Sequence, residues 1–263
     1  MMKTLSQRSD SVFGWQVATI VAIVAALVVN TLSNFFPLNG ASIGEISNTI
    51  FSPVQVIPAN YAFAIWGLIY LGLLALGVYQ LQSSQRTNPR LKHLRPLLVL
   101  ACLAQTVWIF LFLSRWFVGS IVAMLVLLLA LIGCYLQLDT GSDAGRASQR
   151  ERWSVHRPIS IYLAWISVAT VVNVACGLYS AGWDGWGLSG SVWAVVMLVV
   201  SSAIAAVVAV RKRDLAFPAV IVWALVAVAI KQSGTTLIAG TAIGLAIVLA
   251  VVALAAQRFR TPA

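Results

Sequence analysis

Residues 159–179 read ISIYLAWISVATVVNVACGLY, a run without a single Asp, Glu, Lys, Arg or His. At about 1.5 Å of rise per residue, a helix of that length matches the roughly 30 Å hydrocarbon core of a bilayer. Outward from it the same pattern recurs at residues 14–35, 61–82, 96–114, 117–138, 189–210, 216–231 and 235–257. The chain of 263 residues is 60% hydrophobic and only 9% charged, where a soluble domain carries about 25% charged residues. A water-soluble fold is excluded. The expected fold class is an all-α membrane protein with eight transmembrane helices. The first block is too long for the apolar region of a signal peptide and lacks an A-x-A-like site, so it is expected to remain as a helix.

The net charge of +10 reports topology rather than nucleic-acid binding, because the basic residues sort by loop. With both termini on one side, that side holds Lys3 and Arg8, then Arg86, Arg90, Lys92 and Arg95, then Arg146, Arg150, Arg152 and Arg157. Arg211, Lys212, Arg213, Arg258 and Arg260 complete the set, which makes 15 of the 17 Lys and Arg. The opposite side keeps only Arg115 and Lys231, both in tight turns. Both termini are therefore expected in the cytoplasm, and the lipid bilayer is the expected partner.

All seven acids, Asp10, Glu45, Asp139, Asp143, Glu151, Asp184 and Asp214, lie outside the apolar blocks or at their edges. A proton relay built on intramembrane carboxylates loses support. Cys102, Cys134 and Cys176 sit inside apolar blocks without C-x-x-C spacing, as small packing residues do. His93 and His156 fall in the basic loops, and no metal site is expected from them. There is no G-x-x-x-x-G-K-[ST] loop, no H-E-x-x-H and no nucleophile elbow. No catalytic residue is assigned, and any chemistry would have to come with a ligand. Lys231, in the seventh block, raises the idea of a retinal-type Schiff base, but such a group needs a nearby carboxylate and the blocks hold none. It lies one turn before Ser233-Gly234, so a lysine snorkelling from a helix end is expected instead.

Tryptophan is the feature left over, with ten in the chain. Trp15, Trp116, Trp183, Trp186 and Trp193, near block ends, read as interface anchors. Others form stripes: Phe63, Trp66 and Tyr70 on the second span, Gln105, Trp108 and Phe112 on the third, Tyr162, Trp165 and Ala169 on the fifth, extended by Asn173 and Cys176. At 100° per residue, positions i, i+3 and i+7 fall within about 60° of arc, so each set lies on one face. The stripes are either packing aromatics or the wall of a shared cavity. Gln105 and Asn173 favour a polar function, because an amide in hydrocarbon needs a partner on another helix or on a ligand. An aromatic cavity with two amides suits a flat, largely apolar molecule.

The first exoplasmic loop, residues 37–60, is long for a connection between neighbouring spans. Pro37, Asn39 and Gly40 open it with a turn, Ser42 and Glu45 have capping-box spacing for a short helix, and Pro53 and Pro58 break the chain before the second span. It reads as a lid over an opening between helices or as a structured loop.

These residues resemble the TspO/MBR family, the tryptophan-rich sensory proteins whose mitochondrial members are called translocator proteins. Tyr162-Leu163-Ala164-Trp165, then Ala169-Thr170 and Asn173, is similar to the family's P-Y-L-x-W-x-x-x-A-T-x-x-N signature, with Ile161 at the proline position. Pro58, Tyr61, Trp66 and Tyr70 resemble P-x-x-W…P-V-W-x-x-x-Y, with Tyr61 for Trp, no inner proline and a spacing one residue shorter. Gln105-x-x-Trp108 resembles the third-helix N-x-x-W. The resemblance implies a five-helix unit over residues 1–180, with residues 181–263 as a three-helix extension. It also implies a site for porphyrin, haem or another flat hydrophobic ligand under the first loop, with no cofactor required. Phe63, Trp66, Tyr70, Gln105, Trp108, Tyr162, Trp165 and Asn173 are the candidate ligand-binding residues, between the second, third and fifth spans.

The function so implied is a receptor, sensor or carrier. A multi-pass small-molecule transporter and a structural subunit of a pigment or membrane complex are the alternatives. Residues 189–257 are rich in Ala and Val, with Gly240 and Gly244 in G-x-x-x-G spacing. Small residues allow close approach, either to the five-helix unit or to a second copy in a homodimer.

Overall fold

The computed structural model describes residues 2–138 and 147–258, with side chains from residue 12 onward. Asp139, Asp143, Arg146 and Arg260 lie outside the described residues, as do the side chains of Lys3, Arg8 and Asp10. Helix α1 is Met2–Phe35, and α2, Ile43–Thr49, sits within the first loop. A 3-10 turn, Asn60–Ala64, leads into α3, Ile65–Leu81. Helices α4, Pro89–Leu113, and α5, Phe117–Gln137, follow as a hairpin. The short α6, Gln149–Glu151, runs through a π-turn, Arg152–His156, into α7, Arg157–Ser180. The chain continues as α8, Gly190–Lys212, α9, Ala216–Lys231, and α10, Thr236–Arg258.

Among the described residues every regular element is helical, and seven helices are long and apolar enough to cross a membrane. The remaining apolar block, the seventh in chain order, is α9, of 16 residues. At about 1.5 Å per residue it falls short of a 30 Å core. It packs against α7, α8 and α10 and buries Phe217, Ile221, Leu225 and Val228. Packed on three helices and exposed only along the stripe of Ala219, Trp223, Val226 and Ile230, it need not match the hydrocarbon thickness alone. The chain is a multi-pass, all-α integral membrane protein.

Helices α1, α4, α5, α7 and α3 pack in that order as a closed ring, each touching the next and α3 returning to α1. In hydrocarbon no hydrophobic force pulls one apolar helix onto another, so close contact and polar bonds must hold the ring. Gly72 supplies one close contact, since a Cβ there would lie 2.9 Å from Pro158 Cβ on α7. A polar knot joins α1, α3 and α4. Gln16 and Gln80 each donate a side-chain N–H to the other's backbone carbonyl, and Arg95 Nε donates to Gln80 Oε1 at 2.8 Å.

That knot corrects one expectation, because Arg95, counted with the loop charges, belongs to α4 and is buried. His156 is likewise in the α6–α7 helix and buried, 3.9 Å from Glu151. Both helices begin several residues before the apolar blocks do, so the first turns carry charge into the packed end of the ring. Gly240 and Gly244 do not make the close approach of α10. They face outward with open space at the Cβ position, while Ala242 and Ala246 on the opposite side pack inward.

Candidate functional site

The first loop is where local sequence acts most directly. Ser42 Oγ accepts from the Glu45 N–H at 3.3 Å and Glu45 Oε2 accepts from the Ser42 N–H at 2.6 Å, so the capping box forms and starts α2. The Ser42 bonds hold the Glu45 carboxyl below its ordinary value of 4.5. Asn39, at φ 61°, takes a left-handed turn that asparagine tolerates, and its side chain donates to the Leu113 carbonyl at the end of α4 at 3.2 Å.

Under this loop lies a cavity of about 340 Å³. Its walls are Asn30 and Asn34 of α1, Ser42, Ile43 and Gly44 of the lid, Asn60 and Phe63 of the 3-10 turn, Trp66 of α3 and Trp108 of α4. A groove of about 410 Å³ between α1 and α3 shares Asn30, Asn34 and Trp66 with it and adds Tyr70 and Leu74. The two spaces meet at Trp66. No acid, base or thiol lines the cavity, and among the described residues no three His, Cys, Asp or Glu side chains converge. What it offers a ligand is ring faces and amides.

The eight candidate residues divide by depth. Phe63, Trp66 and Trp108 line the cavity, and Tyr70 lines the adjoining groove. Gln105 and Tyr162 lie behind them, fully buried. Tyr162 donates its hydroxyl to Gln105 Oε1, Gln105 Nε2 donates to the Tyr70 hydroxyl, and Tyr70 donates to the Ala26 carbonyl at 3.1 Å. This thread ties α7, α4, α3 and α1 together and leaves the Gln105 oxygen no role toward a ligand. Trp165 is buried edge-on against Phe63, with ring centroids 6.0 Å apart. Asn173 also sits behind the wall. Its Oδ1 accepts from Trp108 Nε1 at 2.9 Å and from Ser120 Oγ at 3.1 Å, while its buried Nδ2 has no partner. The cavity therefore lies toward α1 and the lid, and the space between α3, α4 and α7 is filled by the candidate residues themselves.

Sequence reasoning missed Asn30, Asn34 and Asn60. The first two were legible in principle, as amides four residues apart on one face of the first span.

The C-terminal helices grip the lid. The Ala59 N–H donates to the Ala227 carbonyl at 3.0 Å, Trp223 Nε1 donates to the Ala62 carbonyl at 3.2 Å, and the Tyr61 and Trp223 rings meet edge-on at 5.0 Å. Ser191 Oγ donates to Gln55 Oε1 at 2.8 Å. Lys231 is the last residue of α9, and its ammonium ends on Asn48 of α2.

The family model described as TSPO-like protein matches residues 16–255, which includes the last three helices as well as the ring. No curated protein and no solved structure matches the chain.

Proposed function

The chain belongs to the TSPO-like protein family, and from that premise we propose that it is a membrane receptor, sensor or carrier for a flat, largely apolar ligand such as a porphyrin, held under the first loop. One observation carries the reading: a lidded cavity of about 340 Å³ combines the faces of Trp66 and Trp108 with the amides of Asn30, Asn34 and Asn60. Volumes of about 300–1,000 Å³, mostly apolar walls and a few placed polar groups are usual for small-molecule sites. In this reading Phe63, Trp66 and Trp108 touch the ligand, Tyr70 stands at its way in, and Gln105, Tyr162, Trp165 and Asn173 hold the wall. The groove between α1 and α3 supports a carrier over a sealed receptor, because it continues the cavity sideways. The positive-inside bias supports cytoplasmic termini, which puts the lid on the exoplasmic side.

The test is titration of protoporphyrin IX into purified full-length protein, read by quenching of tryptophan fluorescence. Loss of a stacking face and its buried area should weaken affinity about tenfold or more in Trp66→Ala and in Trp108→Ala. Trp186→Ala, on an exposed turn, should bind like wild type. Equal affinity across all four proteins would remove the ligand from this cavity and bring the structural-subunit reading forward.

A further inference from the structure

Lys231 lies outside the cavity, yet it sits at the head of a hydrogen-bonded chain that ends in the cavity wall. Its ammonium donates to Asn48 Oδ1, Asn48 Nδ2 donates to Asn60 Oδ1 at 2.8 Å and to the Gly44 carbonyl at 2.8 Å, and Asn60 lines the cavity. An ammonium has three donors and no acceptor. The amide that meets it must turn its oxygen toward it. Asn48 then has only N–H groups left for its other neighbours, and Asn60 must answer with its own oxygen. Asn60 is an exposed residue on the cavity rim, and its amide nitrogen meets no protein acceptor among the described residues. Its backbone is fixed on both sides, by Ala227 at Ala59 and by Trp223 at Ala62, so the polarity set by Lys231 is delivered at one place on the rim.

We propose that Lys231 is a positioning residue that makes Asn60 a hydrogen-bond donor to the cavity. The site thereby selects flat ligands that carry an acceptor oxygen, carbonyl or carboxylate, on the edge beneath the lid. The inference rests on the cavity being the ligand site. It gives the C-terminal helices a part in specificity: α9 supplies the cation whose donor-only character is passed through two amides.

Three tricyclic probes of one frame separate the possibilities: fluorene has no polar atom, fluorenone adds an acceptor and carbazole adds a donor. Saturation binding of each, radiolabelled, to full-length protein in nanodiscs, with empty nanodiscs subtracted, gives the order of affinity. Wild type and Lys231→Arg, which is also donor-only, should bind fluorenone about tenfold more tightly than fluorene, the value of one well-placed hydrogen bond. In Lys231→Glu the carboxylate accepts a charge-assisted bond that outweighs the neutral Asn48–Gly44 bond lost when Asn48 turns; Asn60 turns with it, and carbazole should overtake fluorenone while fluorene affinity stays put. Asn60→Ala leaves Lys231 on Asn48 and should make fluorenone and fluorene equal. Retained fluorenone preference in a Lys231→Glu protein that still binds fluorene would overturn the proposal. Should Lys231→Glu fail to bind fluorene, Asn60→Ala decides: lost preference supports the proposal and kept preference overturns it. Wild type that binds all three probes alike overturns this inference alone. Failure of wild type to bind any of them overturns the cavity reading and takes the inference with it.

Discussion

At the scale of single residues, the amides carry the most information. Asn173 was legible in the sequence as a polar residue that must find a partner, but whether that partner is a ligand or a helix depends on which neighbours the fold brings near. Its oxygen holds Trp108 and Ser120. Asn173→Leu would leave the buried Trp108 N–H without its acceptor, at a cost of about 1–3 kcal/mol, while the Ser120 hydroxyl keeps the Phe117 carbonyl at 2.6 Å. The expected outcome is a lower midpoint of thermal unfolding, with porphyrin affinity changed less than in Trp108→Ala. An unchanged midpoint with lost binding would instead put the amide against the ligand. Gln105, singled out for the same reason, is wholly engaged between Tyr162 and Tyr70. Asn60 is not legible in the sequence, because a loop amide looks like any other turn residue until the cavity behind it is known.

Between elements, two contacts set the lid and the ring. The capping box of α2 follows from four residues of sequence and needs no tertiary partner. Glu45 is depressed below 4.5 by its Ser42 bonds, so its contribution is present above that value and fades as pH falls through the lowered one. Hydrogen exchange of amides 43–49, corrected for the intrinsic rate, should accelerate as the pH drops below 4.5. Glu45→Ala should show the faster exchange at neutral pH and lose the dependence. A wild-type profile without pH dependence would mean that the grip of α9, not the box, holds α2. The α3–α7 contact is different in kind. A methyl group at Gly72 meets Pro158 at 2.9 Å, and a proline ring cannot swing aside. Gly72→Ala should therefore cost about 1–3 kcal/mol in thermal or denaturant unfolding, whereas Gly67→Ala, with open space at its Cβ, should be nearly silent.

For the whole molecule, the charge split predicts sidedness. With Cys102, Cys134 and Cys176 replaced, an impermeant thiol reagent should label Ser189→Cys in intact cells. It should reach Ser84→Cys and Ser148→Cys only after permeabilisation. Labelling of Ser84→Cys and Ser148→Cys in intact cells, with Ser189→Cys unlabelled, would overturn the orientation. By itself the sequence determined the class, the positions of the apolar helices and the capped helix in the first loop, because these depend on composition, on period and on neighbours within four residues; that the block at 216–231 makes a helix shorter than a span was left to the structure. It also carried the family, through the motif ending in Asn173. Only the tertiary structure decided that the cavity lies against α1 and the lid, and that half of the candidate residues stand behind its wall. It alone decided that Lys231 of the last helices ends on the lid. Such facts depend on which helix faces turn toward one another, and aromatic stripes on three helices are equally compatible with a hollow between them and with rings packed into contact.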